Sequence, residues 1–325
     1  MPTGAYINLA DPAIIGSFYE QMEAEWSKSW ASSLSWLNPS SVQDQETYAW
    51  LGAVPKFREW IGGRVATKPQ AESYSIRNKL WEQTLEFGLD DLRRDKTGQI
   101  QARIGELAAA GAGWSEDLVT TLINNGGSAT CYDGEYFWDT DHPVSEMTSS
   151  STTAKNSVSA SDYSVLNIGT STAPTPDEAA KIVQAIVGHF MTLKNDQGHL
   201  LNSRARQFTL MVSTVDLWAP IQSALALTNL TSGASNPVMG LKSMGYQIDA
   251  ILNPNLTSAT SLVYAFRTDA KLKPFILQEE YGTQVKVVGA GSELEFNTRR
   301  HQFGTERMGN AGYGLWQYAV KATLS

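Results

Sequence analysis

A single cysteine stands among 325 residues. One thiol forms no internal disulfide and builds no thiolate zinc site, which needs several; the chain reads as one folded in a reducing compartment. Long apolar runs are also missing. Nothing approaches the ~18 consecutive apolar residues of a membrane helix. The N-terminal stretch shows no charged start followed by an apolar block, so no secretory signal is read. Basic charge is scarce: 25 Lys and Arg face 33 Asp and Glu, a net charge of −8. A protein that grips nucleic acid directly carries a basic patch or tail. Here the N-terminus instead holds Asp11, Glu20, Glu23, Glu25 and Asp44 against Lys28 alone. Phosphate-loop and HExxH spacings are absent, and Gly289-Ala-Gly291 lacks the third glycine of a dinucleotide fingerprint.

What is present is apolar and aromatic. A hydrophobic share of 42 % with 18 % charged residues gives a folded chain with an ample core, and the length suits about two domains. Ten tryptophans require large buried surfaces, in a core or at interfaces. Ile15, Phe18, Met22, Trp26 and Trp30 recur at helical spacing and predict an amphipathic helix over 11–37. Its apolar face packs either on its own domain or on a neighbouring subunit. Residues 46–90 read as a long hairpin around Pro55, Gly62, Gly63 and Pro69. From Val54 to Leu80, Lys56, Arg58, Arg64, Lys68, Arg77 and Lys79 outnumber Glu59 and Glu72. A basic projection on an acidic body suggests contact between copies; a solvated hairpin is the plain alternative. The clearest helix spans 97–125, with Thr97 as cap, Gly126-Gly127 as stop, and Ile100, Ile104, Leu107, Gly111, Trp114, Leu118 and Leu122 as one stripe. Residues 145–176 are Ser/Thr-rich and read as a surface excursion or a linker. Then come a helix from Pro176 to about Lys194, strands at 207–213, 246–252 and 262–267, and a helix at 214–226. Strands at 284–288, 293–298 and 313–323 complete an α+β pattern, the last with one buried face.

Chemistry is harder to find. The best catalytic candidate is Asp139, Asp141 and His142, with Asp133 and Glu135 nearby; carboxylates and an imidazole can hold a divalent metal. The same residues suit a tight turn in which Asp side chains cap backbone N–H groups before Pro143. His189, His199 and His301 stand outside any nucleophile motif, and Cys131 reads as a small buried residue. No catalytic residue, cofactor site or metal site is assigned.

Three stretches carry a resemblance: YAWLGAVPKFREWIGGRV (48–65) continuing through SYSIRNKLWEQTLEFGLDDL (73–92); CYDGEYFWDTDHPV (131–144); and LKPFILQEE (272–280) with GYGLWQYAV (312–320). Together they resemble the major head subunits of phage Mu and its relatives. The resemblance implies the α+β Hong Kong 97-like capsid fold: an N-terminal arm (1–45), an extended loop (46–90), a peripheral domain with a long spine helix (91–130), a connecting loop (131–171), an axial domain (172–270) and a return to the peripheral domain (271–325). It implies a non-enzymatic major capsid protein that forms hexamers and pentamers of an icosahedral phage head around double-stranded DNA, held by enclosure. Scaffolding and portal proteins are the implied assembly partners and a decoration protein an optional one, with no membrane partner; assembly is in the host cytoplasm and the end location is the virion. Lys56, Arg58, Trp60, Arg64 and Lys68 are the expected inter-subunit contacts of the loop. The competing readings are a metal enzyme using Asp139, Asp141 and His142, and an encapsulin-like compartment shell.

Overall fold

The computed structural model describes residues 7–38, 44–48, 74–94, 98–144, 153–195, 198–230, 232–257 and 259–325. Helix α1 (Ile7–Trp26) and one turn, α2 (Ala31–Leu34), lead into β1 (Ser35–Asn38). A short pair, β2 (Gln45–Tyr48) and β3 (Tyr74–Arg77), precedes β4 (Lys79–Gly88), α3 (Leu89–Arg94) and the long α4 (Gln99–Asn125). Two-residue strands β5 (His142–Pro143), β6 (Thr153–Ala154) and β7 (Ser157–Val158) follow. Next come α5 (Pro176–Thr192), β8 (Gln207–Val212), α6 (Val215–Ala226), α7 (Pro237–Ser243), β9 (Gln247–Leu252) and β10 (Leu262–Arg267). The last elements are β11 (Phe275–Val288), α8 (Glu293–Thr298), β12 (Arg300–Tyr313) and β13 (Ala319–Thr323).

Two sheets organise these pieces. The first has the order β1-β11-β12-β4, the second β7-β13-β10-β8-β9. In the first, β1 lies parallel to β11 with Ser35 opposite Phe275. The long strands β11 and β12 form an antiparallel ribbon, and β4 extends it from Gly88 opposite Arg300 to Lys79 opposite Gly309. β11 carries two extra residues relative to β12 between Glu279 and Gln284, so the ribbon is bulged there. In the second sheet β8 and β9 are parallel and β10 and β13 antiparallel. Helix α5 starts at a capping box, with Thr175 and Glu178 satisfying each other's backbone N–H groups and Pro176 at the first helical position.

Helix α4 shows how packing departs from hydrophobicity. Its buried line is Ile104, Leu107, Ala108, Ala112, Ser115, Val119, Thr120 and Ile123, whereas Trp114, Leu118 and Leu122 of the predicted stripe are only half-buried. The run Ala108-Ala-Ala-Gly-Ala-Gly113 presents little side-chain bulk. That lets α1 lie along α4, where Phe18 meets Ile104, Leu107, Ala108 and, from β12, Phe303. The N-terminal helix therefore packs on its own chain. It also ends earlier than the periodicity suggests, because residues 35–38 join the first sheet as β1.

Other expectations are corrected. Gly98, not Thr97, is the N-cap residue of α4, with a left-handed φ of 72° and no side-chain cap bond. Of the Ser/Thr-rich excursion, residues 153–176 are tied into the fold: β7 pairs with β13, Leu166 and Asn156 are wholly buried, and Ile168 N–H donates to the Ser325 carbonyl at 2.8 Å. Hydrogen bonds from short polar side chains hold this segment, and they leave no apolar period. Residues 293–298 form helix α8, not a strand, started by Ser292, whose hydroxyl accepts from Glu295 N–H at 3.1 Å. Within 313–323, Trp316, Gln317 and Tyr318 form a helical turn and both faces are buried. β13 lies in the second sheet, so the return over 271–325 is divided between the two sheets.

The two sheets meet along an aromatic seam supplied by the loop after α4. Phe137 stacks on Tyr313 of β12 at 4.6 Å and lies 5.4 Å from Phe275 of β11. Its neighbour Trp138 lies 5.3 Å from Tyr264 of β10. Trp138 also donates through Nε1 to the Ile123 carbonyl at 2.9 Å, satisfying an end group of α4. Gly126 is required at that point, because a Cβ there would press into the Trp138 indole. Replacing Phe137 by Ala empties the centre of this seam; urea denaturation should show a loss of about 3–5 kcal/mol.

Candidate functional site

The five loop residues singled out from the sequence, Lys56, Arg58, Trp60, Arg64 and Lys68, lie outside the described residues. The base from which that segment leaves the fold is described. β2 and β3 pair antiparallel, with Tyr48 opposite Tyr74. Beneath them Gln278 of β11 is wholly buried. Its amide donates to the Ile76 carbonyl at 3.3 Å and to Asn78 Oδ1 at 2.6 Å, and its Oε1 accepts from the Tyr48 hydroxyl at 2.9 Å. Asn78 donates in turn to Glu280 at 3.1 Å, and its backbone N–H reaches the Asp44 carbonyl at 2.8 Å. Tyr313 N–H donates to the Tyr74 hydroxyl at 3.0 Å. Burial pushes the Tyr48 and Tyr74 hydroxyls above their ordinary range, so both stay protonated. A connected, buried polar network of this kind fixes one geometry and penalises others. Sequence reading missed Gln278 and Asn78: a single amide beside charged residues gives no periodic signal of burial.

The acidic turn resolves into two groups, and the predicted trio is split between them. Glu135, Asp139 and Asp141 bring carboxylate oxygens within 4.8 Å of one another; His142 groups with Cys131 and Asp133. Asp139 accepts from the Thr140 and Tyr136 N–H groups at 2.7 and 3.2 Å, as a turn-capping residue does. Burial alone would raise its carboxyl, but those N–H groups and Asp141 outweigh it and hold Asp139 below the ordinary range. Asp141, sharing a hydrogen bond with Asp139 and facing its charge, is pushed up instead. Asp133 accepts from the Glu135 N–H at 3.2 Å and the Cys131 thiol at 2.8 Å, and pairs with His142 Nδ1 at 2.8 Å. The His142 ring stacks on Trp316 at 3.9 Å, nearly parallel at 7°. Burial, then the charge of Asp133, pushes the Cys131 thiol far above its usual range, which leaves it protonated and a poor nucleophile. What this arrangement does chemically is hold a turn: Asp133 and Asp139 are spent on backbone groups and on neighbouring side chains, while His142 Nε2 stays buried with no hydrogen-bond partner among the described residues.

The remaining histidines are structural as well. His301 is buried on β12, with Nε2 3.4 Å from Glu295 of α8. His199 closes a turn through backbone bonds with Asn195. His189 Nε2 donates to the Lys155 carbonyl at 2.8 Å, so Nδ1 accepts from the Tyr163 hydroxyl at 2.9 Å and the ring is neutral. Burial pushes its pKa down. The unfolded chain then binds a proton that the folded chain refuses, so stability falls as pH drops below the ordinary histidine value of about 6.5. Urea midpoints should decline between about pH 6.5 and 5, and His189→Gln should shrink that decline.

Comparison with known proteins places this geometry. The family model described as the Mu-like prophage major head subunit gpT matches residues 16–176 and 249–325. The Mu-like prophage FluMu major head subunit of Haemophilus influenzae is 42 % identical over 104 residues, 32 % of this chain and 34 % of that one. The major capsid protein of Escherichia phage Mu is 35 % identical over 105 residues, again 32 % and 34 % of the two chains. These alignments therefore span about a third of each relative. Among solved structures, the procapsid of bacteriophage JBD30 superposes with a TM-score of 0.56 at 22 % identity, covering 98 % of this chain and 76 % of that one. The capsid of cyanophage P-SCSP1u gives a TM-score of 0.55 at 10 % identity, covering 90 % and 86 %. At such identities the structures establish the fold, and it is the Hong Kong 97-like capsid fold. With that fold under a family match that takes in both the α4 spar and the strands around Gln278, the chain belongs to the Mu-like prophage major head subunit family.

Proposed function

We propose that this chain is the major capsid protein of a Mu-like phage or prophage, assembling as hexamers and pentamers into an icosahedral head that encloses double-stranded DNA. The observation that carries the reading is the family match on both sides of the fold, laid over a capsid-type architecture along nearly the whole chain. The role is structural; Asp139, Asp141 and His142 serve a turn, as their hydrogen bonds and their division into two groups support. Residues 1–45 act as the arm, 46–90 as the extended loop, α4 as the spine, and 172–270 as most of the axial domain. Lys56, Arg58, Trp60, Arg64 and Lys68 carry the loop's contact with a neighbour. Scaffolding and portal proteins assist assembly in the host cytoplasm, and the acidic balance of −8 suits a shell that surrounds DNA without neutralising it.

Size-exclusion chromatography with light scattering, followed by negative-stain electron microscopy, tests this. Hexamers, pentamers, tubes or closed shells are the expected species, alone or with a co-expressed scaffold. A strictly monomeric chain under both conditions would overturn the proposal.

A further inference from the structure

Three side chains of unlike chemistry converge at the turn after α4. Cys131 follows the end of the helix, Asp133 lies in the turn, and His142 opens β5. A sulfur, a carboxylate oxygen and a ring nitrogen, one from each, fall within 4.8 Å of one another. The Cys131 thiol donates to Asp133 Oδ1 at 2.8 Å, and His142 Nδ1 stands 2.8 Å from Asp133 Oδ2. All three are held out of solvent: the His142 side chain is wholly buried, the Asp133 side chain is 6 % exposed, and Cys131 is buried. Glu135, Asp139 and Asp141 form a separate group on the same loop.

Hydrogen bonds alone serve this trio poorly. A buried carboxylate calls for a counter-charge or several strong donors. Asp133 has His142, the Glu135 N–H at 3.2 Å, and a thiol, which is a weak donor. No lysine or arginine pairs with it among the described residues. The imidazole points the same way. Its Nε2 is buried without a hydrogen-bond partner, so the one polar bond of a wholly buried ring is directed into the trio.

We infer that Cys131, Asp133 and His142 bind one zinc-class divalent cation that clamps the turn. Thiolate, imidazole and carboxylate are the donors zinc takes, at about 2.0–2.3 Å. A tetrahedral ion at those lengths holds its donors roughly 3.3–3.8 Å apart, so the pairs now at 2.8 Å open by about 1 Å or less. The sulfur disfavours magnesium and calcium, which take oxygen. The charges close, because two positive charges meet one thiolate and one carboxylate. Binding releases the thiol proton to solvent. The imidazole gives its Nδ1 lone pair to the ion and carries its proton on Nε2. Water completes the fourth position. The ion ties the end of α4 to β5 across Phe137 and Trp138, and so stiffens the seam between the sheets. Such a clamp is compatible with assembly and independent of it.

The whole chain, freed of metal with a chelator and kept in a non-thiol reductant, is titrated with Co²⁺ as an optical stand-in for Zn²⁺. One equivalent should give a thiolate-to-cobalt charge-transfer band in the near ultraviolet, together with the strong visible bands of a four-coordinate ion. The chain has one cysteine, so that band reports Cys131 alone. Zn²⁺ should erase both and raise the melting midpoint by several degrees. Asp133→Asn should lower Zn²⁺ affinity by about tenfold or more, since even an outer-shell partner is worth that much. Cobalt bands without the charge-transfer component would place the ion on Glu135, Asp139 and Asp141 and overturn the inference. No bands, a midpoint that stays put or falls, or unchanged affinity in Asp133→Asn would overturn it as well. The optical and melting tests are made on the wild-type chain, so a variant that fails to fold leaves the question decided.

Discussion

The contact between Phe137 and the strands on either side of it is the constraint on which the architecture depends. Two sheets with separate hydrogen-bond ladders have no covalent reason to hold one relative orientation. The turn after α4 gives them one, because Phe137 reaches Phe275 and Tyr313 in the first sheet while Trp138 reaches Tyr264 and Phe266 in the second. The same indole closes the C-terminal end of α4. Helix, first sheet and second sheet are thereby referred to a single dipeptide. The carboxylates around it serve the same purpose: Asp133 and Asp139 shape the turn, and His142 clamps it to Trp316.

A second layer of organisation uses polar groups where an apolar core would do. The buried face of β12 includes His301, Thr305 and Arg307 as well as Phe303. Arg307 is acceptable there because Glu279 neutralises it and two indoles enclose it. Gln278, next to Glu279 on the same strand, plays the matching part a few residues further along the ribbon. Such groups add little net stability compared with hydrocarbon, yet each accepts few alternative arrangements. On this ribbon they fix one geometry more than they add stability.

Much of this was legible in the sequence. The α4 spar, the helix opening at Pro176, and the strands at 207–212 and 262–267 follow from spacing and end signals alone. The failures share a cause. β12 gives no alternating signal because its inward residues mix Phe303 and Tyr313 with His301, Thr305, Arg307 and Gly309, so alternation in hydrophobicity does not mark alternation in burial. Residues 153–168 show no period because Val158 and Leu166, the apolar anchors, are isolated in sequence and Asn156 and backbone hydrogen bonds hold the rest. The stripe on α4 was drawn through Trp114 and Leu118, whereas the closest approach runs over alanines and glycines. The family resemblance rests on three stretches of sequence, and these supply the seam, the Gln278 network and the loop base.

The bulges in β11 have a mechanical consequence. A ribbon of two 14-residue strands stiffened by β4 behaves as a beam, clamped at one end by the aromatic seam and held at the α8 tip, among the described residues, only by α3, where Leu89 N–H donates to the Arg299 carbonyl at 2.9 Å. Between Glu279 and Gln284 the ladder loses regular cross-strand bonds, and local bending resistance falls with them. A transverse load on the tip therefore produces its curvature at those few residues, while the clamped root keeps its angle. The subunit carries its own flexure point, set beside the Gln278 network, so strain arriving from outside is taken up before it reaches the joint between the sheets.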